Sequence, residues 1–405
     1  MKIPGVSPSA VQRLNTDMRH LTALLPVCKT MSSAQNELRW IREHMDSNTL
    51  GMQFRKKITS KSTEEQARDT KLYRLCRLRG RGYPLQYIVG SQPFGNLEIK
   101  CSPGVLIPRH ETEAWTMHLA HVVRDILDAE ESETGQQSGS DLKIIDMCTG
   151  TGCIALLLYS LLNRRFPRMQ VQGYDYDPRA VKLASHNFEY NTKHNMLQPT
   201  KSRHSVSFMK ADVFSTIWPF TITNADRLTR SHQKTRKFYE KKGKKIGSGG
   251  TAWKRETFGI LVSNPPYISQ EGFDRDTEPS VRNFEPRIAL VPYAPKSAEL
   301  YPDVRPEDIF YAKLLDDAAI LRPQLIALEV GDLAQAIRVV QMASKRYMLT
   351  DTEIWRDSPD VQPRDGEEES VEVAGVSVPV KGSGNGRVVF ICRQSLPYPD
   401  FDHPE

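Results

Sequence analysis

The sequence is short of the features that would place it in several common classes. Its longest apolar run, Cys153 to Leu162, falls well below the roughly 20 residues a membrane-spanning helix needs, so no span is expected. Its six cysteines (Cys28, Cys76, Cys101, Cys148, Cys153, Cys392) form no CxxC pair, which excludes a disulfide framework or zinc site read from spacing and points to a reducing compartment. His110, His118 and His121 stand close together but not as HExxH, and no metal is expected there. Neither GxGxxG nor a GKS/GKT phosphate loop occurs, so neither a dinucleotide nor a triphosphate is favoured.

The net charge of +6 suggests a nucleic-acid partner until its distribution is inspected. Between Arg227 and Arg255 eleven Lys and Arg face one acid, Glu240, a local charge of +10 that leaves −4 for the rest of the chain. That stretch, with KKGKKIGSGG at its centre, has the composition of a solvated insertion rather than of a dedicated RNA contact.

Along the chain, residues 1–30 carry Lys2, Arg13, Arg19 and Lys29 against Asp17 alone, which reads as a mitochondrial transit segment. Residues 31–85 repeat apolar positions at three and four and read as a small helical domain. Residues 86–115, rich in β-branched and aromatic residues broken by GN and PG, read as a β-hairpin linker. From there to about residue 396 short apolar strands alternate with helices, which predicts an α/β fold: about seven strands, mostly parallel, closed by an antiparallel pair. Two stretches interrupt it, 221–257 and 357–385, and the second, with PRDGEEES and GSGNG, reads as an elongated loop.

DMCTGTGCIAL, Asp146 to Leu156, sits where the first strand of this sheet meets its helix. Gly150 and Gly152 allow a ligand close to the backbone, and the helix start offers free N–H groups. Asp175 closes the second strand, placed to hold a ribose hydroxyl pair, while Asp177 ahead of Pro178 is the better helix cap. Asp212 after the third strand suits an adenine amino group, with Phe214 beside the ring. A nucleoside without phosphates fits this set, and S-adenosylmethionine meets that description.

LVSNPPYIS places Asn264, Pro265, Pro266 and Tyr267 after the fourth strand. Each proline fixes its own φ and holds the preceding residue extended. The Asn264 side-chain carbonyl and the Pro265 backbone carbonyl could hold the two hydrogens of a planar NH2, against the flat face of Tyr267. The NH2 belongs to a carboxamide or to an adenine; the tetrapeptide does not choose.

The ordered run YPLQYIVGSQPFG, GVLIPRHETE, DMCTGTGCIALLL, GYDYDP, LVSNPPYIS, NFEPRIAL, ALEVG and GNGRVVFICR resembles the HemK/PrmC release factor glutamine methyltransferases, and NELRWIREH resembles their fungal mitochondrial branch. The resemblance implies a helical N-terminal domain, a hairpin and a class I methyltransferase domain. It implies methylation, by S-adenosylmethionine, of the glutamine in the GGQ motif of a peptide-chain release factor in the mitochondrial matrix, the cytoplasm being the alternative. Carried over by residue, it assigns Cys148, Thr149, Gly150, Thr151, Gly152, Asp175, Asp212, Phe214 and Asn264 to the cofactor. It assigns Asn264 to Tyr267, with Glu111, Glu113 and Glu285, to the substrate. A monomer is expected, with no membrane partner and no direct nucleic-acid contact. Cys148 replaces the loop's first glycine, His110 is atypical before ETE and Phe284 replaces a tyrosine. An adenine methyltransferase and a non-catalytic RNA-binding factor on the same fold are the competing readings.

Overall fold

The computed structural model describes residues 8–50, 61–134, 141–199, 204–215, 257–293, 299–346 and 351–392. The basic insertion expected at 221–257 lies outside them except for Thr257. The chain divides into two compact units.

The first unit runs to Gln92 and includes residues 101–107 and 276–286. It is built on α1 (Pro8–Cys28), α2 (Met31–Leu50), α3 (Lys61–Gly80) and the short α4 (Leu85–Val89). Leu21, Leu24 and Cys28 of α1 meet Leu38, Ile41 and Met45 of α2 and Leu72 and Cys76 of α3 in one apolar cluster. Arg79 grips Glu37 through two hydrogen bonds of 2.7 and 2.9 Å in a largely buried pair. The stretch expected as a transit segment ending at residue 30 thus includes the first helix of this bundle, whose Leu21, Leu24 and Cys28 are core. The expected hairpin linker likewise opens in a helix, α4, and is a hairpin only in β1 (Ser91–Phe94) and β2 (Leu97–Lys100).

The second unit takes in residues 93–100, which carry β2, and continues with α5 (His110–Thr134). Then come β3 (Asp141–Met147), α6 (Cys153–Leu162), β4 (Met169–Asp175), α7 (Pro178–Lys193), β5 (His204–Lys210), β6 (Thr257–Ser263), α8 (Ile309–Leu321), β7 (Leu325–Glu329), α9 (Leu333–Ser344), β8 (Thr352–Ser358), β9 (Ser370–Val373), β10 (Val376–Lys381) and β11 (Ser383–Cys392). The sheet order is β5-β4-β3-β6-β7-β11-β8-β10-β9. The first five strands are parallel, and β11 runs antiparallel to both neighbours, the closing pair the alternation of elements predicts. Alternate residues face opposite sides, as strand geometry requires: Ile144 joins Trp115, Leu119 and Leu156 on one face, and Ile145 joins Tyr311, Leu315 and Val339 on the other.

Among the described residues the sheet has nine strands rather than about seven, because residues 357–385 are not one loop. VEVAGVSVPVK alternates valines, so Val373, Val378 and Val380 are buried, and Ala374–Gly375 turns the chain with both φ values positive, the geometry of a tight hairpin. β10 then adds parallel to β8.

On α7, Asn191 accepts the Glu98 N–H and donates to the Glu98 carbonyl, at 3.0 and 2.9 Å. Asn187 does the same for Lys100, at 2.7 and 3.2 Å, and also donates to the Thr151 carbonyl at 2.9 Å. Two amides one helical turn apart thus serve β2 as a neighbouring strand would.

Candidate active site

The sheet reverses direction of growth at β3: β4 and β5 lie to one side of it, β6 and β7 to the other. Ligands of such sheets bind outside the carboxyl ends of the strands at this point. Met147 at the end of β3 is in register with Tyr174 on β4 and with Ser263 on β6, and Ser263 with Leu328 on β7. The residues that follow, Cys148–Gly152, Asp175, Asn264–Tyr267 and Glu329, therefore leave the sheet along one edge.

Cys148, Gly150 and Gly152 all adopt left-handed backbone, at φ 58°, 56° and 79°. Cys148 takes the conformation glycine would favour and carries a strain cost of about 1–2 kcal/mol for it. The two glycines differ in what they touch. A Cβ on Gly150 would meet nothing within 4 Å, so this backbone is open to a ligand, whereas one on Gly152 would press on Ala184 and Phe208 at 3.0–3.1 Å. Thr149 is buried and donates its hydroxyl to Asp146 at 2.6 Å; Thr151 is buried as well. Burial pushes the Asp146 carboxyl up to about 7, against the pull of Thr149.

The Asp175 carboxylate accepts the Gly150 N–H on one oxygen and the Asp177 N–H on the other, both at 2.9 Å. Burial raises its pKa, and those same hydrogen bonds oppose the rise. Asp177 is the cap of α7, accepting the Arg179 N–H at 2.8 Å ahead of Pro178. Asp212 is exposed and holds the Phe214 N–H at 2.9 Å, while the Phe214 ring meets Phe310 edge-on at 4.9 Å.

At the end of β6, Ser263 donates to the Met147 carbonyl at 2.8 Å and ties the two strand ends together. Pro265 and Pro266 are buried, and Asn264 and Tyr267 are half-buried. The Asn264 amide Nδ2 donates to Thr112 Oγ1 at 3.3 Å. Thr112 and Trp115 of α5 donate to one oxygen of Glu329, each at 2.7 Å, and the Tyr267 hydroxyl lies 3.4 Å from the other. Gln335 of α9 donates to the Tyr267 carbonyl at 3.2 Å, and Gly331 packs on the Tyr267 ring. Burial and the neighbouring Glu329 push the Tyr267 phenol upward, so it remains a hydroxyl donor. Glu329, fully buried, is raised by desolvation while Trp115, Thr112 and Arg387 hold it down.

Of the glutamates carried over by resemblance, Glu111 and Glu113 are half-buried in the first turn of α5, and Glu111 acts on Glu329 by like charge. Glu285 belongs to the helical unit, where its buried carboxylate accepts the Ile107 N–H at 3.0 Å. Thr112, Trp115, Glu329 and Gln335 were not anticipated. The signal for Glu329 was available, since it is the one acid in the buried strand LIALE, and a charge at the end of such a strand marks a candidate site. Among the described residues no group of three or more His, Cys, Asp and Glu could hold a metal; His118 instead bonds Asp360 at 2.7 Å.

The sequence model of the ribosomal protein L11 methyltransferase family matches residues 126–250. A probable mitochondrial MRF1 N(5)-glutamine methyltransferase of Schizosaccharomyces pombe is 30% identical over 291 residues, 72% of this chain and 74% of that protein. The mitochondrial MRF1 N(5)-glutamine methyltransferase of Saccharomyces cerevisiae is 31% identical over 290 residues, 71% and 68%. A release factor glutamine methyltransferase of Thermodesulfovibrio yellowstonii is 29% identical over 289 residues, 70% and 75%. With the strand-end cluster in place on a doubly wound sheet, these likenesses show that the chain is a methyltransferase and belongs to the family of release factor N(5)-glutamine methyltransferases.

Proposed function

We propose that the chain transfers a methyl group from S-adenosylmethionine to the side-chain amide nitrogen of the glutamine in the GGQ motif of a peptide-chain release factor, in the mitochondrial matrix. The observation that carries this reading is the register of β3 on β6: the open-backed loop at Gly150 and the stiff carbonyl pair of Asn264 and Pro265 leave adjacent parallel strands at the same edge. The word mitochondrial in the names of both yeast relatives supports the location.

S-adenosylmethionine, when bound, supplies an electrophilic methyl group on a sulfonium. Asp175 would hold its ribose diol with the carboxylate that also accepts from Gly150 and Asp177. Gly150 would lie against it without a side chain, and Asp212 and Phe214 would border its base. A carboxamide nitrogen is a weak nucleophile because its lone pair is delocalised. Asn264 Oδ1 and the Pro265 carbonyl would take its two hydrogens, aim the lone pair and stabilise the positive charge that develops on nitrogen. Tyr267 would fix the plane of the acceptor, and the surplus proton would pass to water. Orientation is most of what such a transfer asks of the protein.

Incubation with labelled S-adenosylmethionine and a release factor, its Gln-to-Ala variant, or duplex and single-stranded DNA tests the proposal. Label on the release factor alone is the expected result. Label on DNA would favour adenine methylation, and equal label on the Gln-to-Ala factor would reject the assigned acceptor.

A further inference from the structure

Asn264 can serve as an acceptor only if its amide is turned the right way. A planar carboxamide presents oxygen on one side and nitrogen on the other, and the two are nearly equal in size, so sterics do not choose between them. The choice is made by Thr112. Its hydroxyl has one hydrogen, which goes to the buried Glu329 carboxylate at 2.7 Å. What it offers Asn264, 3.3 Å away, is lone pairs. Only Nδ2 can bond to them, and Oδ1 is then turned away from Thr112.

We infer that Glu329 and Thr112 form a positioning relay that fixes the flip of the Asn264 amide, so that its oxygen rather than its nitrogen meets the substrate NH2. The carboxylate is itself held in place: the Trp115 indole N–H, which can only donate, bonds the same oxygen at 2.7 Å, and the Tyr267 hydroxyl reaches the other at 3.4 Å. One buried acid thus orients both ends of the Asn264–Tyr267 segment. With the amide reversed, Asn264 would present donors to a donor, and the acceptor nitrogen would lose one of its two guides. Thr112 and Glu329 are positioning residues: they act through Asn264.

The inference rests on the glutamine-methylating reading, and two readouts keep the two apart. The first needs no substrate. In protein with 15N-labelled asparagine, the Asn264 side-chain amide is expected to show one proton slowed in exchange by Thr112, a protection lost in Thr112→Val and kept in Thr112→Ser. Equal exchange in all three would overturn the relay whatever the enzyme methylates. The second is kinetic, with the release factor as substrate. Thr112→Val is expected to lower kcat about tenfold or more, the worth of one oriented hydrogen bond. KM and the affinity for S-adenosylhomocysteine should stay within about twofold, and Thr112→Ser should restore most of kcat. Should Thr112→Val not fold, as judged by that affinity, Thr112→Ala carries the same expectation. Glu329→Gln retains an oxygen for Trp115 and Thr112 and should lose less than about threefold; a loss matching Asn264→Ala would mean that Glu329 acts by its charge and would overturn the relay. Wild-type kcat in the valine and alanine variants would do the same. A wild-type enzyme that leaves the release factor unlabelled rejects the substrate reading, and the exchange measurement still decides the relay.

Discussion

Asp175 accepts the backbone N–H of Gly150 at 2.9 Å, which makes the acid closing β4 a structural partner of the loop that follows β3. On the proposed reading, removing it takes away both a ribose-holding group and a support of the loop. Asp175→Ala is expected to weaken S-adenosylhomocysteine binding about 10- to 100-fold in a calorimetric titration, a loss expected of charge-assisted hydrogen bonds. The KM for the protein substrate, measured with saturating donor, should change little. An unchanged donor affinity would remove Asp175 from the cofactor site.

Asn264 stands on the other side of the division of labour. Asn264→Ala is expected to reduce transfer by about 100-fold or more, as removal of a group that stabilises developing charge does. Its affinity for S-adenosylhomocysteine should stay near that of the wild type. A loss of donor affinity as large as the loss of rate would contradict the roles assigned to the two strand ends.

Asp146 predicts a pH dependence of stability. Its carboxyl is pushed up to about 7 by burial, whereas the unfolded chain holds it near about 3.9. Between these values the folded protein keeps a proton that the unfolded chain has released. The Asp146 contribution to stability therefore falls as pH rises from about 4 to about 7 and is level above that. Asp146→Asn, neutral throughout and able to accept from Thr149, removes this slope. In urea titrations of ligand-free protein its stability should gain on the wild type across that window, by the order of a few kcal/mol. Parallel stability curves for the two proteins would show that Asp146 is ionised in the fold.

Leu24 is fully buried between the helices of the N-terminal unit, and Leu21 and Cys28 line the same cluster. Leu24→Ala is expected to destabilise that unit by about 2–5 kcal/mol, the usual range for such a cavity. The same packing bears on any processing at the N-terminus. A cleavage that left residue 31 first would strip these three side chains from the core, so the mature N-terminus is expected ahead of Leu21. N-terminal sequencing of the protein from mitochondria checks this, and a terminus at or beyond residue 31 would refute it.

Much of this architecture could be read in advance, and what could not has local causes. Strand and helix alternation from Lys143 onward gave the parallel sheet, because runs such as KIIDM and LIALE have to be covered on both faces. The positions of the Gly150–Gly152 turn and of Asn264–Tyr267 at strand ends were legible because glycine permits, and proline imposes, particular backbone conformations whatever surrounds them. The relay was not. Thr112 lies between two glutamates that carry formal charge, and its partner Glu329 is 217 residues away, so only the meeting of α5 with the end of β7 reveals the pair. Residues 357–385 misled for a different reason. PRDGEEES and GSGNG have the composition of a loop, and they flank a valine alternation that is a hairpin.

The same acidic run has a consequence at the margin of the sheet. Among the described residues β9 is the last strand of the sheet, and a strand at such an edge can pair with another chain. Glu367, Glu368 and Glu369 lead into it, and the exposed Glu372 lies within it. A strand from a second copy arriving on that side would bring its own acids against these. The segment that widens the sheet to nine strands also carries the like charge that discourages a tenth, and so guards the enlarged sheet against edge-to-edge aggregation.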